Sequence, residues 1–510
     1  MERMTPTGKV IKNAGIGIVF NFLTIALAFV NRTIFIKVLG AQYLGVSGLY
    51  SNILSVLSLA DLGFNSVLMF FLYEPLVKKD EARLSTLIAY FRRIYHLVAG
   101  VVFFIGIGLI PFLPMLVKGG NLSNKELLQY YLLFLVNTSC SYLAVYKSTM
   151  LIADQSAYVV NTVKFGVAVA QSVSQIVILY FVHSYTLYLI AVISCTIGNN
   201  IFLTYITDKR YRFLRRIKPD QDVGDLKTKI LVNIKNAFLY RVGGTIMNST
   251  DNILISVIVS TTAVGYYSNY VLITANIILL INLFSQAMMT AMGNFAVQAK
   301  PEKKELVFRS TMLIYAAIAA FVGGCIVCMM NDFMMFWLRD PQYVLGQRFT
   351  YILAFKLYVD VVTSPNWMFR EASGLFREAR NIMLWAAIVN ILLSIILGQC
   401  FGMAGIIFAT SISKICTLFW YEPKVFYGKI FHKPISQYWK YHILLTAVAL
   451  ISIAVSCVIN NHFGSGVSEM IIKVLVCGLI TLLSFFVLTR KSKEYQYLIT
   501  RFHKKRAINT

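Results

Sequence analysis

Several charged side chains lie within long apolar stretches of this sequence, where charge is costly. These residues are Arg32, Asp61, Lys164, Arg241, Asp251, Lys356 and Asp360. Placing an Arg, Lys or Asp in the middle of a membrane-spanning helix costs about 2.5–3.5 kcal/mol, so such a residue is a candidate for function. A buried aspartate can bind a proton or a sodium ion, and arginine pairs with phosphate in bidentate fashion. We therefore take Asp61, Asp251 and Asp360 as ion-coupling candidates and the cations as candidates for binding an anionic substrate.

Structural roles are the alternative for the same charges. Lys164, Arg241 and Lys356 lie close enough to predicted helix ends for their ammonium or guanidinium groups to reach the interface. Lys356 and Asp360 are four residues apart, so their side chains could satisfy each other on one helix face. Asp61 and Asp251 are deepest in their stretches and are equally consistent with a water-filled cavity and with a structural pair.

Polar side chains also repeat at helical spacing in four of the apolar stretches. The first stretch has polar or small residues at steps of three and four from Asn13 to Asn31, and the others show similar faces. A polar face must contact protein or water, not lipid. Hydrogen bonds between packed helices are the simpler interpretation, and a cavity is the other. The cavity candidates are Arg32, Asn21, Asn52, Arg241, Asn248 and Asn269.

The composition of the chain indicates the class of protein that positions these side chains. The 510 residues are 58% hydrophobic and 14% charged, against about 45–50% and about 25% in soluble proteins. The mean hydropathy is +0.68. These values exclude a soluble enzyme, a disordered chain and a nucleic-acid-binding domain, and predict an all-α polytopic membrane protein.

Apolar stretches long enough to cross a bilayer recur along the whole chain. We predict about fourteen spans, at 14–36, 44–73, 86–110, 127–146, 158–182, 185–206, 237–259, 265–293, 311–330, 347–368, 381–399, 403–420, 442–460 and 469–489. With the N-terminus inside, 39 of the 47 Lys and Arg residues fall in inside segments. This asymmetry predicts cytoplasmic N- and C-termini and accounts for most of the net charge of +25 without a nucleic acid.

The longest hydrophilic gap suggests a division of the chain. We predict an N-terminal lobe at 1–207, a basic cytoplasmic linker at 208–236, a C-terminal lobe at 237–420, two further spans within 421–489 and a basic cytoplasmic tail at 490–510. GLYSN at 48–52 and GYYSN at 265–269 open the second helix of each lobe. Six spans separate them, so they indicate parallel repeats, an arrangement used by alternating-access transporters.

Known catalytic and metal-binding patterns are missing from the sequence. There is no nucleotide-binding loop and no catalytic-triad pattern. Cys325 and Cys328 form a C-x-x-C pair that no second pair or nearby His completes. We expect no cofactor, no metal, no disulfide framework and no enzyme activity.

Seven short motifs, taken in order, resemble those of the bacterial polysaccharide repeat-unit flippases. They are NRTIFIKVLGAQYLG at 31–45, GLYSN at 48–52, ADLG at 60–63, ADQ at 153–155, TDN at 250–252, GYYSNY at 265–270 and FREASGLF at 369–376. These Wzx-type flippases, which serve O-antigen and capsule synthesis, belong to the multidrug/oligosaccharidyl-lipid/polysaccharide (MOP) exporter superfamily.

The resemblance implies a fold, a substrate and site residues. The fold would be two six-helix lobes in a V-shaped arrangement, as in MATE transporters, with two further C-terminal helices. The substrate would be an undecaprenyl-diphosphate-linked oligosaccharide, moved across the bacterial plasma membrane by alternating access. Partners would be membrane lipids and other proteins of surface-polysaccharide assembly. Arg32, Arg241 and Arg370 are the cations that the resemblance would place in the cavity, and Arg370 could instead anchor an inside loop.

Other functions remain open at this point. The same superfamily exports teichoic-acid and peptidoglycan precursors, and it includes drug/cation antiporters, whose cavities would be dominated by acids. A polytopic glycan polymerase or transferase is less favoured, because it needs catalytic groups in a sizeable outside loop and the predicted outside loops are short.

Overall fold

The chain is helical throughout the part that the structure describes. A computed structural model describes residues 6–58, 64–119, 122–217, 224–298, 300–373 and 375–500, and no β-strand occurs among them. Clustering of contacts divides the chain into two compact units, Met1–Ser268 and Asn269–Thr510. Asp61 lies outside the described residues, as does the side chain of Arg241.

In its described residues, unit 1 contains ten complete α-helices and the start of an eleventh. The complete helices are α1 (Pro6–Leu57), α2 (Phe64–Lys78), α3 (Glu81–Gly108), α4 (Leu113–Leu116), α5 (Asn124–Ser141), α6 (Val145–Ala153), α7 (Ala157–Phe181), α8 (Tyr185–Arg210), α9 (Phe213–Arg216) and α10 (Gly224–Ile258). The eleventh, α11 (Thr261–Gln298), begins in unit 1 and continues into unit 2.

Unit 2 contains the rest of α11 and, in its described residues, fewer helices than unit 1. They are α12 (Pro301–Leu338), α13 (Gln347–Val362), α14 (Ser364–Ala372), α15 (Phe376–Cys416), α16 (Leu418–Phe426), a π-helical turn (Tyr427–Phe431), α17 (Ser436–Asn460) and α18 (Val467–Thr489). A further helical stretch covers 493–500.

Local sequence signals begin and end several of these helices. Ser123 and Glu126 form a reciprocal capping box at the start of α5, which satisfies free amide groups of the first turn. Asp80 accepts a hydrogen bond from the backbone of Arg83 at 2.9 Å and so caps α3. Pro301 occupies the first turn of α12, where its missing N–H costs nothing.

Gly40 reverses the chain inside α1. Its φ of 81° is open to glycine at little cost. Before it, Phe20 stacks on Phe165 in α7, so this limb lies along α7. After it, Tyr50 packs against Tyr131 in α5. The first limb runs parallel to α7, because Phe20 contacts Phe165 and Asn31 contacts Gln175. The second limb runs parallel to α5, because Tyr43 contacts Tyr130 and Tyr50 contacts Phe134. Since α5 is parallel to α8, and α8 returns alongside α7, the two limbs are antiparallel. The break predicted between the first two spans is therefore present.

Gly402 produces the same reversal in α15. Its φ is 61°, and Asn390 on one limb donates to Thr410 Oγ1 on the other at 3.2 Å. A Cβ on Gly405 would lie 1.9 Å from the carbonyl oxygen of Leu397. The two limbs therefore pack at backbone contact, and the break predicted between 399 and 403 coincides with the glycine.

One predicted span has different boundaries in the structure. The span predicted at 127–146 is divided, because α5 ends at Ser141 and α6 begins at Val145. Apolar content continues through this break, so hydropathy alone could not reveal it. The span predicted at 44–73 includes the end of α1 at Leu57 and the start of α2 at Phe64, and its residues 59–63 lie outside the described residues.

Nine segments of the described residues are long and apolar enough to cross a membrane. They are Val19–Leu57, Glu81–Gly108, Ala157–Phe181, Tyr185–Arg210, Thr261–Gln286, Pro301–Leu338, Asn381–Phe431, Ser436–Asn460 and Val467–Thr489. On α18, Leu475, Leu479 and Leu482 form one exposed apolar face, whereas Lys473 and Cys477 on the other face are buried. Large exposed apolar faces of this kind suit contact with lipid. The chain is a multi-pass membrane protein.

Candidate functional site

Arg32 is a half-buried cation in the first limb of α1. Its terminal nitrogen Nη1 has no solvent exposure and no hydrogen-bond partner among the described groups. No carboxylate of the described residues lies within 4.0 Å of its guanidinium group. An unpaired buried charge is costly unless an anion or water accompanies it. Arg32 therefore has free capacity to bind an anionic ligand.

Four tyrosines, Tyr43, Tyr130, Tyr185 and Tyr188, form an aromatic cluster beside Arg32. Tyr188 and Tyr185 lie close to the guanidinium group. The Tyr185 ring lies 4.7 Å from that of Tyr130 and 5.1 Å from that of Tyr43, both edge to face. We call these four residues the tyrosine cluster. Rings and hydroxyls next to a cation suit a ligand that carries both sugar and phosphate.

Contacts with α7 hold the Arg32 limb in place. Asn31, the residue before Arg32, donates a hydrogen bond from Nδ2 to Gln175 Oε1. About three turns towards the N-terminus, the rings of Phe20 and Phe165 stack 4.3 Å apart. A Cβ on Gly17 would lie 3.5 Å from Asn161 Nδ2, an ordinary packing distance. The limb is thus fixed against α7 by both polar and apolar contacts.

A polar groove opens between α7 and α8 in the same unit. It has a volume of about 290 Å³ and is lined by Ser141, Lys164, Val167, Ala168, Gln171, Cys195, Thr196, Asn199 and Asn200. Lys164 is exposed in this groove, and no described carboxylate lies within 4.0 Å of its ammonium group. Gln171 is one helical turn before Gln175, the partner of Asn31, so the groove continues towards Arg32 along α7.

The other candidates of unit 1 are distributed over several environments. Asn21 is half-buried, and Asn248 is exposed on α10. Asn52 donates to the carbonyl oxygen of Gly48 at 2.8 Å, within its own helix. Asp251 is buried, with 7% of its surface exposed. Among the described side chains, no hydrogen bond joins Asn21, Asn52 or Asn248 to Arg32.

Part of the predicted polar faces serves helix packing. Ser249 of α10 donates to Ser55 of α1 at 3.3 Å, and Thr149 of α6 donates to Asn65 of α2. These are the interhelical hydrogen bonds expected between polar residues in a membrane. For Ser55 and Asn65, the packing interpretation therefore holds.

The candidates of unit 2 are engaged in local interactions. Arg370 pairs with Glu422 at 3.0 Å and contacts Glu371 at 3.5 Å. Asp360 lies between Lys356, at 3.3 Å, and Lys414. Asn269 is fully buried.

Sequence reasoning did not identify all the partners in these groups. The spacing indicated the Lys356–Asp360 contact, but it gave no signal for Lys414 or Glu422, which come from other helices. The tyrosine cluster was missed for the same reason. The only sequence signal for it was the spacing of Tyr185 and Tyr188, one turn apart at the start of α8.

Solved structures with the same architecture are found among transporters. The lipid II flippase MurJ, in an inward closed conformation, matches with a TM-score of 0.65 and 16% identity, over 93% of this chain and 98% of that one. The fold is that of MurJ and the MATE transporters. An inward-facing multidrug resistance MATE transporter of the MOP superfamily matches with a TM-score of 0.59 and 14% identity, over 81% and 98% of the two chains. The MATE multidrug transporter DinF-BH, solved as a complex, has the same score and identity, over 85% and 99%.

These matches confirm the predicted fold class, but they do not identify the substrate. At 12–16% identity they show the architecture of a MOP-type transporter, without its cargo. No family model and no curated protein matches the sequence. All three structures are named as flippases or transporters, in accord with the prediction that the chain is not an enzyme. The number of about fourteen spans stays a prediction.

Proposed function

We propose that this protein is a flippase for undecaprenyl-diphosphate-linked oligosaccharide repeat units in the bacterial plasma membrane. It would deliver these units for surface-polysaccharide assembly, with the partner proteins of that pathway. The likeness to MurJ, which is named as a lipid II flippase, supports a lipid-linked cargo. The motif resemblance at 31–45 and at 265–270 supports a repeat-unit oligosaccharide as its head group.

The observation that carries the proposal is the unpaired guanidinium of Arg32. A diphosphate head group is the kind of charge that cannot cross hydrocarbon unaided, because unpaired charge there is prohibitive. Arg32 offers bidentate contacts to such a group. The tyrosine cluster and the amides of the polar groove offer stacking and hydrogen bonds to the attached sugars. Together they match a ligand with a phosphate end and a sugar end.

A drug/cation antiporter is the main competing function within this fold. Its cargo would require an acidic cavity. Asp360, the ion-coupling candidate of unit 2, is already neutralised by two lysines. Among the described residues, no carboxylate lies within 4.0 Å of the Arg32 guanidinium group. These observations favour an anionic cargo, including teichoic-acid or peptidoglycan precursors, over a cationic drug.

The transport cycle follows as part of the same proposal. Alternating access would expose the Arg32 site first to the cytoplasm and then to the outside, while the lipid tail stays in the bilayer. Both termini would be cytoplasmic, and the N-terminal and C-terminal lobes would span 1–207 and 237–420. An ion gradient or the membrane potential would drive the cycle, with Asp61 or Asp251 as the coupling carboxylate.

Reconstitution in proteoliposomes tests the cargo directly. Purified protein would be incorporated with a labelled undecaprenyl-diphosphate oligosaccharide, and the fraction accessible to an external glycosidase would be followed over time. We expect protein-dependent exposure of the inner-leaflet pool. A labelled cationic drug serves as the comparison cargo. Transport of the drug, with no movement of the lipid-linked sugar, would overturn the proposal.

A further inference from the structure

A basic recess lies at the end of α8, away from the Arg32 site. It has a volume of about 450 Å³ and is open to the surface. We call it the basic recess; it is lined by Tyr205, Asp208, Lys209, Arg212, Arg215 and Arg216. The sequence alone gives such a cluster the role of an inside-facing topology anchor that touches the anionic head groups of lipids. Three features of the structure point beyond that role.

The segment that carries the arginines is docked onto the helices of unit 1. Tyr211 is buried and donates its hydroxyl to Asp154 Oδ2 at 2.7 Å. Phe213 and Leu214 pack against the apolar core of the unit. Ser85 in α3 donates to the carbonyl oxygen of Ile217 at 3.1 Å. The cations that follow Tyr211 are therefore held in position before any ligand binds.

The acids near the recess are already committed to other cations. Asp208 pairs with Lys147 and, at 3.1 Å, with Arg215. Asp154 pairs with Arg210 at 2.9 Å. Among the described residues, no carboxylate lies within 4.0 Å of the charged groups of the remaining three cations, which are Lys209, Arg212 and Arg216. The positive charges of these three residues in the recess are therefore not neutralised by a described carboxylate.

The side of α8 next to the recess is apolar and exposed. Ile201, Phe202 and Tyr205 are 61%, 58% and 58% exposed, and α8 is one of the segments able to cross a membrane. Tyrosine is enriched where a helix leaves the bilayer. The recess thus lies where an apolar helix face meets a group of cations, an arrangement that fits a lipid with its chain along α8 and its head group in the recess.

We propose that the basic recess is a binding site for a phosphate-bearing group, held by Lys209, Arg212 and Arg216. Anionic membrane lipid is the source that the adjoining apolar face of α8 favours, and soluble phosphate compounds share the same chemistry. The two arginines would contact the phosphate oxygens in bidentate fashion, and Lys209 would add a point charge. This site does not depend on the proposed cargo at Arg32.

Binding of dioctanoyl phosphatidylglycerol to the full-length protein in neutral detergent tests the site. The test variant is Lys209→Gln/Arg212→Gln/Arg216→Gln. The matched control is Arg490→Gln/Lys491→Gln/Lys493→Gln, which removes the same charge from exposed residues beyond α18. Each cation near an anionic lipid contributes about a fivefold gain in affinity. We expect binding to weaken at least about tenfold in the test variant and to change less than about twofold in the control.

A second arm separates the two sources of phosphate. Inorganic pyrophosphate is titrated against the bound lipid at constant ionic strength. Failure of pyrophosphate to compete with the lipid supports a lipid site. Competition in the wild type and the control variant, but not in the test variant, supports a site for soluble phosphate. Equal losses in the test and control variants, with both still monodisperse and melting as the wild type does, would overturn the proposal. No saturable binding of either probe to the wild type would also overturn it.

Discussion

Gly45 in α1 and Gly265 in α11 lie in backbone contact. A Cβ on Gly45 would lie 3.2 Å from the backbone nitrogen of Gly265, and a Cβ on Gly265 would lie 3.1 Å from that of Gly45. One turn along, a Cβ on Gly48 would lie 2.9 Å from Ser268 Oγ. Gly48 of the first pentamer and Ser268 of the second therefore lie in contact within unit 1, with small residues that allow the helices to approach closely.

Gly45→Ala should destabilise the protein, because its Cβ would also come within 1.9 Å of the carbonyl oxygen of Thr261. Overpacking of this kind costs about 1–3 kcal/mol. The measurement is the apparent melting temperature in detergent. Gly166→Ala in α7 is the matched control, because nothing lies within 4 Å of its Cβ position, and it should be neutral or slightly stabilising. Equal melting temperatures for Gly45→Ala and the wild type would contradict the close helix contact.

Asp360→Asn should destabilise unit 2, because Lys356 and Lys414 would both lose the carboxylate that they share. Breaking a buried ion pair by removing one partner costs about 3–5 kcal/mol. We expect a clear loss in apparent melting temperature, with Glu302→Gln, an exposed residue of α12, as the control. A variant that melts as the wild type does, yet transports without its driving gradient, would instead assign Asp360 to ion coupling.

The Arg370–Glu422 pair should behave as a structural unit. Both side chains are nearly inaccessible, at 3% and 6% exposure. Arg370→Leu and Glu422→Leu should each destabilise the protein by about 3–5 kcal/mol, because each removes the opposite charge that a buried ionised group pairs with. The double leucine variant should cost less than the sum of the two, and a double-mutant cycle on the melting data measures that difference.

A transport assay distinguishes the structural role of Arg370 from a role in substrate binding. If Arg370 only pairs with Glu422, the double variant should keep most of the transport rate of the wild type at equal protein level. Additive destabilisation, together with loss of transport in a folded double variant, would return Arg370 to the set of cavity cations.

Sequence patterns predicted what depends on local chemistry. Hydropathy and charge asymmetry identified an all-helical membrane protein, and the breaks at Gly40 and Gly402 agree with the gaps between predicted spans. Helix extent was underestimated: α12 covers Pro301–Leu338, against the predicted 311–330. A helix continues beyond its apolar stretch because its backbone hydrogen bonds are local and do not require lipid.

The spacing of residues in the sequence could not identify interaction partners that come from distant helices. Periodicity places Asn31 and Arg32 on a helix, but it does not say that Gln175 or Tyr188 lies next to them. For the same reason the sequence did not separate the cations that are paired, such as Arg370, from Arg32. Only packing shows which charge is left without a partner.

The most direct test of the account is the leaflet distribution of lipid-linked oligosaccharide in bacteria that lack this protein. We expect complete units to accumulate on the inner leaflet, and to be exported again on complementation with the wild type or with Arg93→Ala, which changes an exposed cation of α3. Arg32→Ala, at equal protein level, should leave at least about nine-tenths of the accumulated units on the inner leaflet. Arg32→Lys should restore export in part, because lysine keeps the positive charge but cannot make the bidentate contact. Normal export in the Arg32→Ala strain would contradict the central role of Arg32.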